Sequence, residues 1–187
     1  MKSRAISDKE LIKGCIACKR KYQERLYAKY APKMFSVCLR YAKGYHNAED
    51  ILQEGFIKVY RNIGRFRSEG SFEGWLRRIF VNTAIEHYRR SKPMYPILEV
   101  NNSQYDVIDN NVIENLAAQD LMKMVQKLSP GYRTVFNLYV IEGYSHKEIG
   151  KMLNISDGTS KSQLARARYL LQKMVNQLNQ HSKEAYV

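Results

Sequence analysis

Between Ser145 and Val175 the apolar residues fall in two blocks at helical spacing, separated by a short polar break. Ile149, Met152 and Leu153 form the first block, and Leu164, Ala167, Leu170, Leu171, Met174 and Val175 the second, as expected for two amphipathic helices. Ser145 followed three residues on by Glu148 is a capping box, so the first helix should begin there. Asn154 ends it with a residue that tolerates a left-handed backbone, and Ser156 is placed to cap the second helix. Thr159, Ser160, Lys161, Gln163, Arg166 and Arg168 are the polar positions of that second helix and are assigned to its outer face. Hydroxyl, amide and guanidinium groups there can pair with base edges and phosphates. Any single basic helix is more often a solvated face. A capped first helix and a tight turn beside it are what make this pair a DNA-reading helix-turn-helix.

The same periodicity predicts helices upstream. Ser7 and Glu10 make another capping box, before a helix expected from Leu11 to about Tyr30, with Leu26, Tyr27 and Tyr30 among its apolar positions. Pro32 marks a break, and a second helix is expected from Pro32 to Lys43 with Gly44 as its C-terminal cap. Asn47 should cap a third, AEDILQEGFIKVYRNI, in which Ile51, Leu52, Phe56, Val59 and Tyr60 turn inward. Glu49, Asp50, Gln53, Glu54 and Lys58 are left outside. RFRSEGS has no period and reads as an exposed loop around Phe66, after which Ser71 caps a fourth helix, FEGWLRRIFVNTAIEHYRRSK, closed by Pro93. YPILEVNNSQYDVIDNN carries Glu99, Asp106 and Asp109 but neither Lys nor Arg, and lacks a sustained period, so it reads as a flexible acidic linker. Helical patterning resumes near Val112 in IENLAAQDLMKMVQKL. It continues in GYRTVFNLYVIE, opened by Ser129 and Pro130 and stopped by Gly143. The expected fold is all-α: two small helical domains, 1–92 and 112–187, joined by the linker 93–111.

Charge sharpens this picture. Among 187 residues, 31 Lys and Arg against 18 Asp and Glu give a net charge of +13, which calls for a polyanionic partner. The acidic outer face of the third helix is out of keeping with that and suggests a docking surface for a positively charged protein. On the fourth helix, Phe72, Trp75 and Tyr88 are interleaved with Arg77, Arg78, Arg89, Arg90 and Lys92 beside the loop. Rings on which bases stack and guanidinium groups that hold phosphates are the requirements of single-stranded nucleic acid binding. Core packing is the competing explanation for Trp75.

Cys15, Cys18 and Cys38 are too few and odd in number for a disulfide framework. A zinc site at Cys15 and Cys18 would need two more ligands, and His46, His87, His146 and His181 show no paired spacing, so neither a metal nor another cofactor is expected. No apolar run approaches a membrane span and MKSRAISDKELIKG lacks the apolar segment of a signal peptide, which leads us to expect a cytoplasmic protein with no membrane insertion.

The blocks NAEDILQEGFIKVY, RFRSEGSFEGWLRRIFVNTAIEHYRR and LSPGYRTVFNLYVIEGYSHKEIGKMLNISDGTSKSQLARAR occur in an order and separation that resemble the extracytoplasmic-function group of bacterial RNA polymerase sigma factors, over roughly Glu24 to Val175. The resemblance implies a transcription initiation factor that binds core RNA polymerase and directs it to promoters through the −10 and −35 elements, with no catalysis of its own. It implies that Glu49, Asp50, Gln53, Glu54 and Lys58 dock on the polymerase, on the clamp helices of β′, with the β subunit a further partner. It implies that the loop with Phe66, Arg67, Ser68 and Ser71 captures a flipped base of the −10 non-template strand. Trp75, Arg78, Asn82 and Thr83 would then read adjoining nucleotides, while Arg89 and Arg90 hold the backbone. For the −35 duplex it implies Thr159, Ser160, Lys161, Ser162, Gln163, Arg166 and Arg168, and it implies an anti-sigma protein as inhibitor.

Two positions depart from the family pattern: Gln163 stands where many members have Arg, and Ser160 where a small apolar residue is usual. Because Gln favours adenine and Arg guanine, a different −35 preference is expected. A free-standing transcriptional regulator would share the helix-turn-helix but would have no use for the acidic face or the aromatic loop and helix. A nuclease or deaminase would need a second carboxylate cluster or zinc ligands, and the sequence supplies neither.

Overall fold

The structure is a computed structural model that describes residues 6–90 and 118–184. Among the described residues every regular element is a helix, and the chain divides into two compact units, residues 1–87 and 88–187. The linker 93–111 and the start of the helix expected from Val112 lie outside the described residues.

In the first unit α1 (Asp8–Ile16) opens on the expected capping box, with the Glu10 amide donating to Ser7 Oγ at 3.3 Å and the Ser7 amide donating to Glu10 Oε2 at 3.0 Å. The helix expected to continue to Tyr30 stops at Ile16 instead. Cys18 takes a left-handed φ of 52°, and the Lys19 amide closes the turn on the Gly14 carbonyl at 3.0 Å. α2 (Arg20–Tyr41) then runs unbroken through Pro32, contrary to the expected break. A proline in a helix interior costs roughly 3 kcal/mol. Here its ring is exposed while Tyr30, Ala31, Met34 and Val37 on the opposite side are buried, and each large apolar side chain contributes roughly 1.5–3 kcal/mol on burial. Packing therefore outweighs the lost hydrogen bond.

Gly44 also takes a different role from the one expected. It is extended, with φ −172°, at the N-cap of α3 (Tyr45–Asn62), so it opens α3 rather than closing α2, and Asn47 lies within the first turn. α3 buries Ile51, Leu52, Phe56 and Val59 as its spacing demands. A 3₁₀ turn (Ile63–Arg65) leads to the loop and then to α4 (Phe72–Arg90), whose Leu76, Phe80 and Val81 complete the core. α3 and α4 approach so closely that a Cβ at Gly55 would stand 2.2 Å from the Phe80 ring.

The second unit contains α5 (Ala118–Lys127), α6 (Pro130–Phe136), α7 (His146–Leu153) and α8 (Asp157–Glu184). Pro130 takes the first helical position of α6 as expected, although Ser129 makes no side-chain cap bond. α6 widens into a π-helical turn at Asn137–Ile141. There Asn137 Nδ2 donates to the Arg133 carbonyl at 2.9 Å while the Glu142 amide reaches back to the Asn137 carbonyl at 3.0 Å. A side chain that competes for a backbone acceptor loosens the ladder at that point. Gly143, at φ 77°, then ends the element.

α7 opens on the second capping box, with Ser145 and Glu148 bonded reciprocally at 2.8 and 3.3 Å. It closes on Asn154 in the left-handed region, with the Ile155 amide donating to the Gly150 carbonyl at 3.0 Å. A Cβ at Gly150 would stand 2.9 Å from the Ile155 carbonyl oxygen, which is backbone and cannot swing away. Gly150→Ala should therefore destabilise this unit by about 1–3 kcal/mol, read as an earlier midpoint in urea unfolding.

Candidate functional site

α8 begins as the sequence indicates, with the Thr159 amide donating to Ser156 Oγ at 3.0 Å. Its exposed stripe is not quite the one read from the polar residues. Lys161, Ser162, Arg168 and Tyr169 are exposed, while Thr159 and Arg166 are half-buried. The Arg166 guanidinium lies 5.2 Å over the Tyr169 ring, and that of Arg168 lies 5.8 Å over Tyr139. Ser160 and Gln163, both expected to face DNA, are buried instead. They precede Leu164 and Ala167 on the same stripe, so α6 and α7 cover them. Ser160 Oγ is bonded to His146 Nδ1 at 2.9 Å, and Gln163 Oε1 lies 3.3 Å from where a Gly131 Cβ would stand. Neither is on the face open to bases, so the base preference inferred from Gln163 falls away. Ala165 and Tyr169, which the sequence reading passed over, lie on the open face four and eight residues after Lys161.

His146 joins the two helices of the motif. Its ring stacks on Tyr139 at 4.5 Å and faces Ser160, with Lys161, Asp157 and Arg168 the charged groups around it. Burial lowers its pKa from the ordinary 6.5; Lys161 and Arg168 lower it further, and Asp157 works the other way. A base whose folded-state pKa is depressed contributes stability above its unfolded value and loses it as pH falls. The helix-turn-helix should thus weaken as pH drops below about 6.5, an effect that His146→Gln should abolish in thermal unfolding measured across that range.

In the first unit the loop before α4 contains two left-handed residues, Ser68 at φ 61° and Gly70 at φ 94°. Ser71 caps α4, its Oγ accepting from the Gly74 amide at 3.0 Å. Phe66 is not a bare loop residue: its ring packs on Phe72 at 5.2 Å and on Trp75 at 5.6 Å. Trp75 in turn stacks on Phe72 at 5.6 Å and 19°, and both Phe66 and Trp75 remain half-exposed. An aromatic platform thus borders a loop whose Arg67 and Ser68 are exposed, and α4 adds exposed Arg78 and Asn82. Arg89 and Arg90, at the end of α4, are exposed but fall in the second unit, where the Arg89 guanidinium donates to the Met152 carbonyl. Thr83 does not belong to this face. It is buried, and its hydroxyl donates to the Ile79 carbonyl at 2.9 Å, so its expected contact with nucleotides is withdrawn.

The acidic face of α3 divides in two. Asp50 and Gln53 are exposed, with Glu49 half-buried, and His46 lies 4.0 Å from both Glu49 and Asp50. Glu54 and Lys58 instead tie α3 to α4. Lys58 Nζ lies 3.0 Å from Glu54 Oε1 and 2.7 Å from Glu86 Oε2, and His87 Nε2 lies 2.6 Å from Glu54 Oε2. Burial lowers the Lys58 pKa, but its bonds to Glu86 and Glu54 outweigh that and raise it. Ile57, exposed at 50%, lies one turn beyond Gln53 and gives this charged surface an apolar centre that the polar pattern did not reveal. No group of His, Cys, Asp and Glu among the described residues forms a metal site, and no described helix is long and apolar enough to cross a membrane.

A helical unit with an aromatic loop beside an arginine-bearing helix, and a second unit ending in a capped, basic helix-turn-helix, define a nucleic-acid-binding protein. The family description of sigma-70 region 2 matches residues 26–93, and that of sigma-70 region 4 matches residues 118–171. The chain is 35% identical over 161 residues to the ECF RNA polymerase sigma factor SigW of Bacillus subtilis (strain 168), covering 80% of this chain and 86% of that protein. It is 28% identical over 185 residues to the ECF RNA polymerase sigma-E factor of Haemophilus influenzae, covering 92% and 97%. The sigma factor RpoE solved in complex with the anti-sigma factor NepR from Bartonella quintana aligns with 82% of this chain and 96% of its own, at TM-score 0.46 and 20% identity. The chain belongs to the extracytoplasmic-function sigma factors, and it is a transcription initiation factor that directs promoter recognition.

Proposed function

We propose that this sigma factor divides its work among three surfaces. Asp50, Gln53 and Ile57, flanked by Glu49 and steadied by the Glu54, Lys58 and His87 network, dock on the β′ clamp helices of core RNA polymerase, with the β subunit contacted elsewhere. The loop from Phe66 to Ser71 and the Trp75 platform take a flipped −10 base, and Arg78, Asn82, Arg89 and Arg90 hold the strand around it. The stripe of α8 through Thr159, Lys161, Ser162, Arg166 and Tyr169 enters the −35 major groove. The domain limits proposed are 1–92 and 112–187, with 93–111 as linker. The protein works in the cytoplasm without a cofactor or catalysis of its own, and an anti-sigma protein that covers the α3 face would silence it.

The observation that carries this reading is the segregation of surface chemistry. In a chain of net charge +13, one face of α3 presents Asp50 and half-buried Glu49 beside Gln53 and Ile57, whereas α4 exposes Arg78 beside the half-exposed Trp75 and α8 exposes Lys161, Arg168 and Tyr169. A protein that bound only DNA would gain nothing from an acidic face, because it repels phosphate. The helix-turn-helix is tested by Arg166→Ala. Loss of a bidentate base contact costs about 1–3 kcal/mol, so −35 duplex affinity in a fluorescence anisotropy titration should fall about 5- to 150-fold. Unchanged affinity would remove Arg166 from the interface.

A further inference from the structure

Beside the loop, α2 and α4 leave an open groove of about 370 Å³ that shares only Ser71 with the three surfaces above. Buried Met34 and Val37 of α2 form its floor. Its walls carry Lys33 and Arg40 from α2 and Arg77 from α4, with Ser71, Gly74 and Glu73 at the α4 end. Among the described lining residues these are three cations and one carboxylate, and Lys33 Nζ lies 2.6 Å from Glu73 Oε2. Ser71 belongs both to this groove and to the loop, so the two adjoin. The groove sits at the N-terminal end of α4, away from Arg89 and Arg90. An apolar floor between cationic walls suits a nucleotide, whose flat face lies on carbon while its phosphate meets ammonium and guanidinium groups.

We propose that this groove binds the backbone phosphate of the unpaired non-template strand just downstream of the captured base, and that Glu73 holds Lys33 in place until the phosphate displaces it. The proposal rests on the sigma-factor reading of the loop. Glu73 acts as a competitor for the lysine, so removing Lys33 and removing Glu73 have opposite consequences for the strand. If the ion pair only braced α2 against α4, either change would weaken the protein in the same direction.

The test uses holoenzyme assembled from the full chain and core RNA polymerase, on a promoter identified by run-off from genomic fragments and pre-melted across the −10 element. The readout is the lifetime of the complex against competitor DNA, with uncharged methylphosphonate linkages introduced one at a time. For the unsubstituted protein, one linkage just downstream of the captured base should shorten the lifetime about tenfold. Lys33→Gln should shorten it about tenfold on the natural template and make that linkage no longer matter. Glu73→Gln should lengthen it about threefold. Both side chains are largely exposed, so both variants should fold. A scan with no linkage sensitive to Lys33→Gln, or two variants that both shorten the lifetime, would overturn the proposal. An abasic site at the captured base should shorten the lifetime in all three proteins. If it does while the linkage scan fails, the groove is refuted and the loop reading stands; if holoenzyme ignores the template altogether, both fail.

Discussion

Asp50→Arg should lower the affinity for core RNA polymerase about 100-fold while leaving the folded protein and its −35 duplex affinity unchanged. Asp50 is exposed on α3 and lies one turn before Gln53 and two before Ile57, so a basic partner surface would meet it near the centre of the face. A like-charge juxtaposition there replaces attraction with a penalty of several kcal/mol, of which about 2.7 kcal/mol accounts for a 100-fold loss. The fold should tolerate the change, because the ion pair of Asp50 with His46, at 4.0 Å, lies on an exposed surface where such pairs contribute little. Titration of labelled protein with core enzyme measures the effect directly. Equal affinities for the two proteins would place the polymerase contact elsewhere. Ile57→Ala gives a second reading of the same face: if the isoleucine is the apolar centre of the interface, its loss should be felt mainly in the dissociation rate.

Trp75→Ala should cut promoter opening about 10- to 100-fold with −35 binding intact. Stacking of one base on an aromatic ring is worth about 1–3 kcal/mol, and unstacking a base from the duplex must be offset by such a contact. Trp75 also supports Phe66, 5.6 Å away, so its removal loosens the platform as well as shortening it. Potassium permanganate reactivity of −10 thymines in the holoenzyme complex reports the opening. A template pre-melted across the same bases should recover much of the loss, since the cost of unpairing is then already met. Failure of the pre-melted template to help would mean that Trp75 serves the core of the unit rather than the strand.

Local signals in the sequence located most of the helices because they arise from local physics. The two capping boxes, the proline opening α6, Gly143 and Asn154 each act within one turn of chain, and the structure realises them as read. The errors lie where distant packing decides. Pro32 reads as a break because a proline disrupts its own helix, yet the burial of its neighbours against other helices holds it inside α2. Gly44 was assigned to the wrong helix because glycine suits either end, and only the extended φ of −172° shows which.

The site residues follow the same division. Polar type alone points outward at Lys161 and Arg168 but misplaces Ser160 and Gln163, and the family resemblance misplaces Thr83. Each of those three sits in a buried stripe, where a helical wheel would have placed it beside Leu164, Ala167 or Phe80. Ile57 and Tyr169 belong to neither the apolar stripes nor the polar faces that the sequence defines, and only the structure shows them exposed. Thus the sequence located the elements and the charge of each face. Which side chain of each helix looks outward depended on crossings such as Phe80 on Gly55 and His146 on Ser160.

One chain that joins polymerase to promoter should do so in a reconstituted system. The full protein is mixed with bacterial core RNA polymerase and genomic DNA fragments, and the 5′ ends of the transcripts are mapped. A stable complex is expected, with starts at discrete sites that share paired −35 and −10 sequences and that are absent with core enzyme alone. Sequence-specific duplex binding by the protein by itself, with no complex and no new starts with a cognate core enzyme, would contradict it.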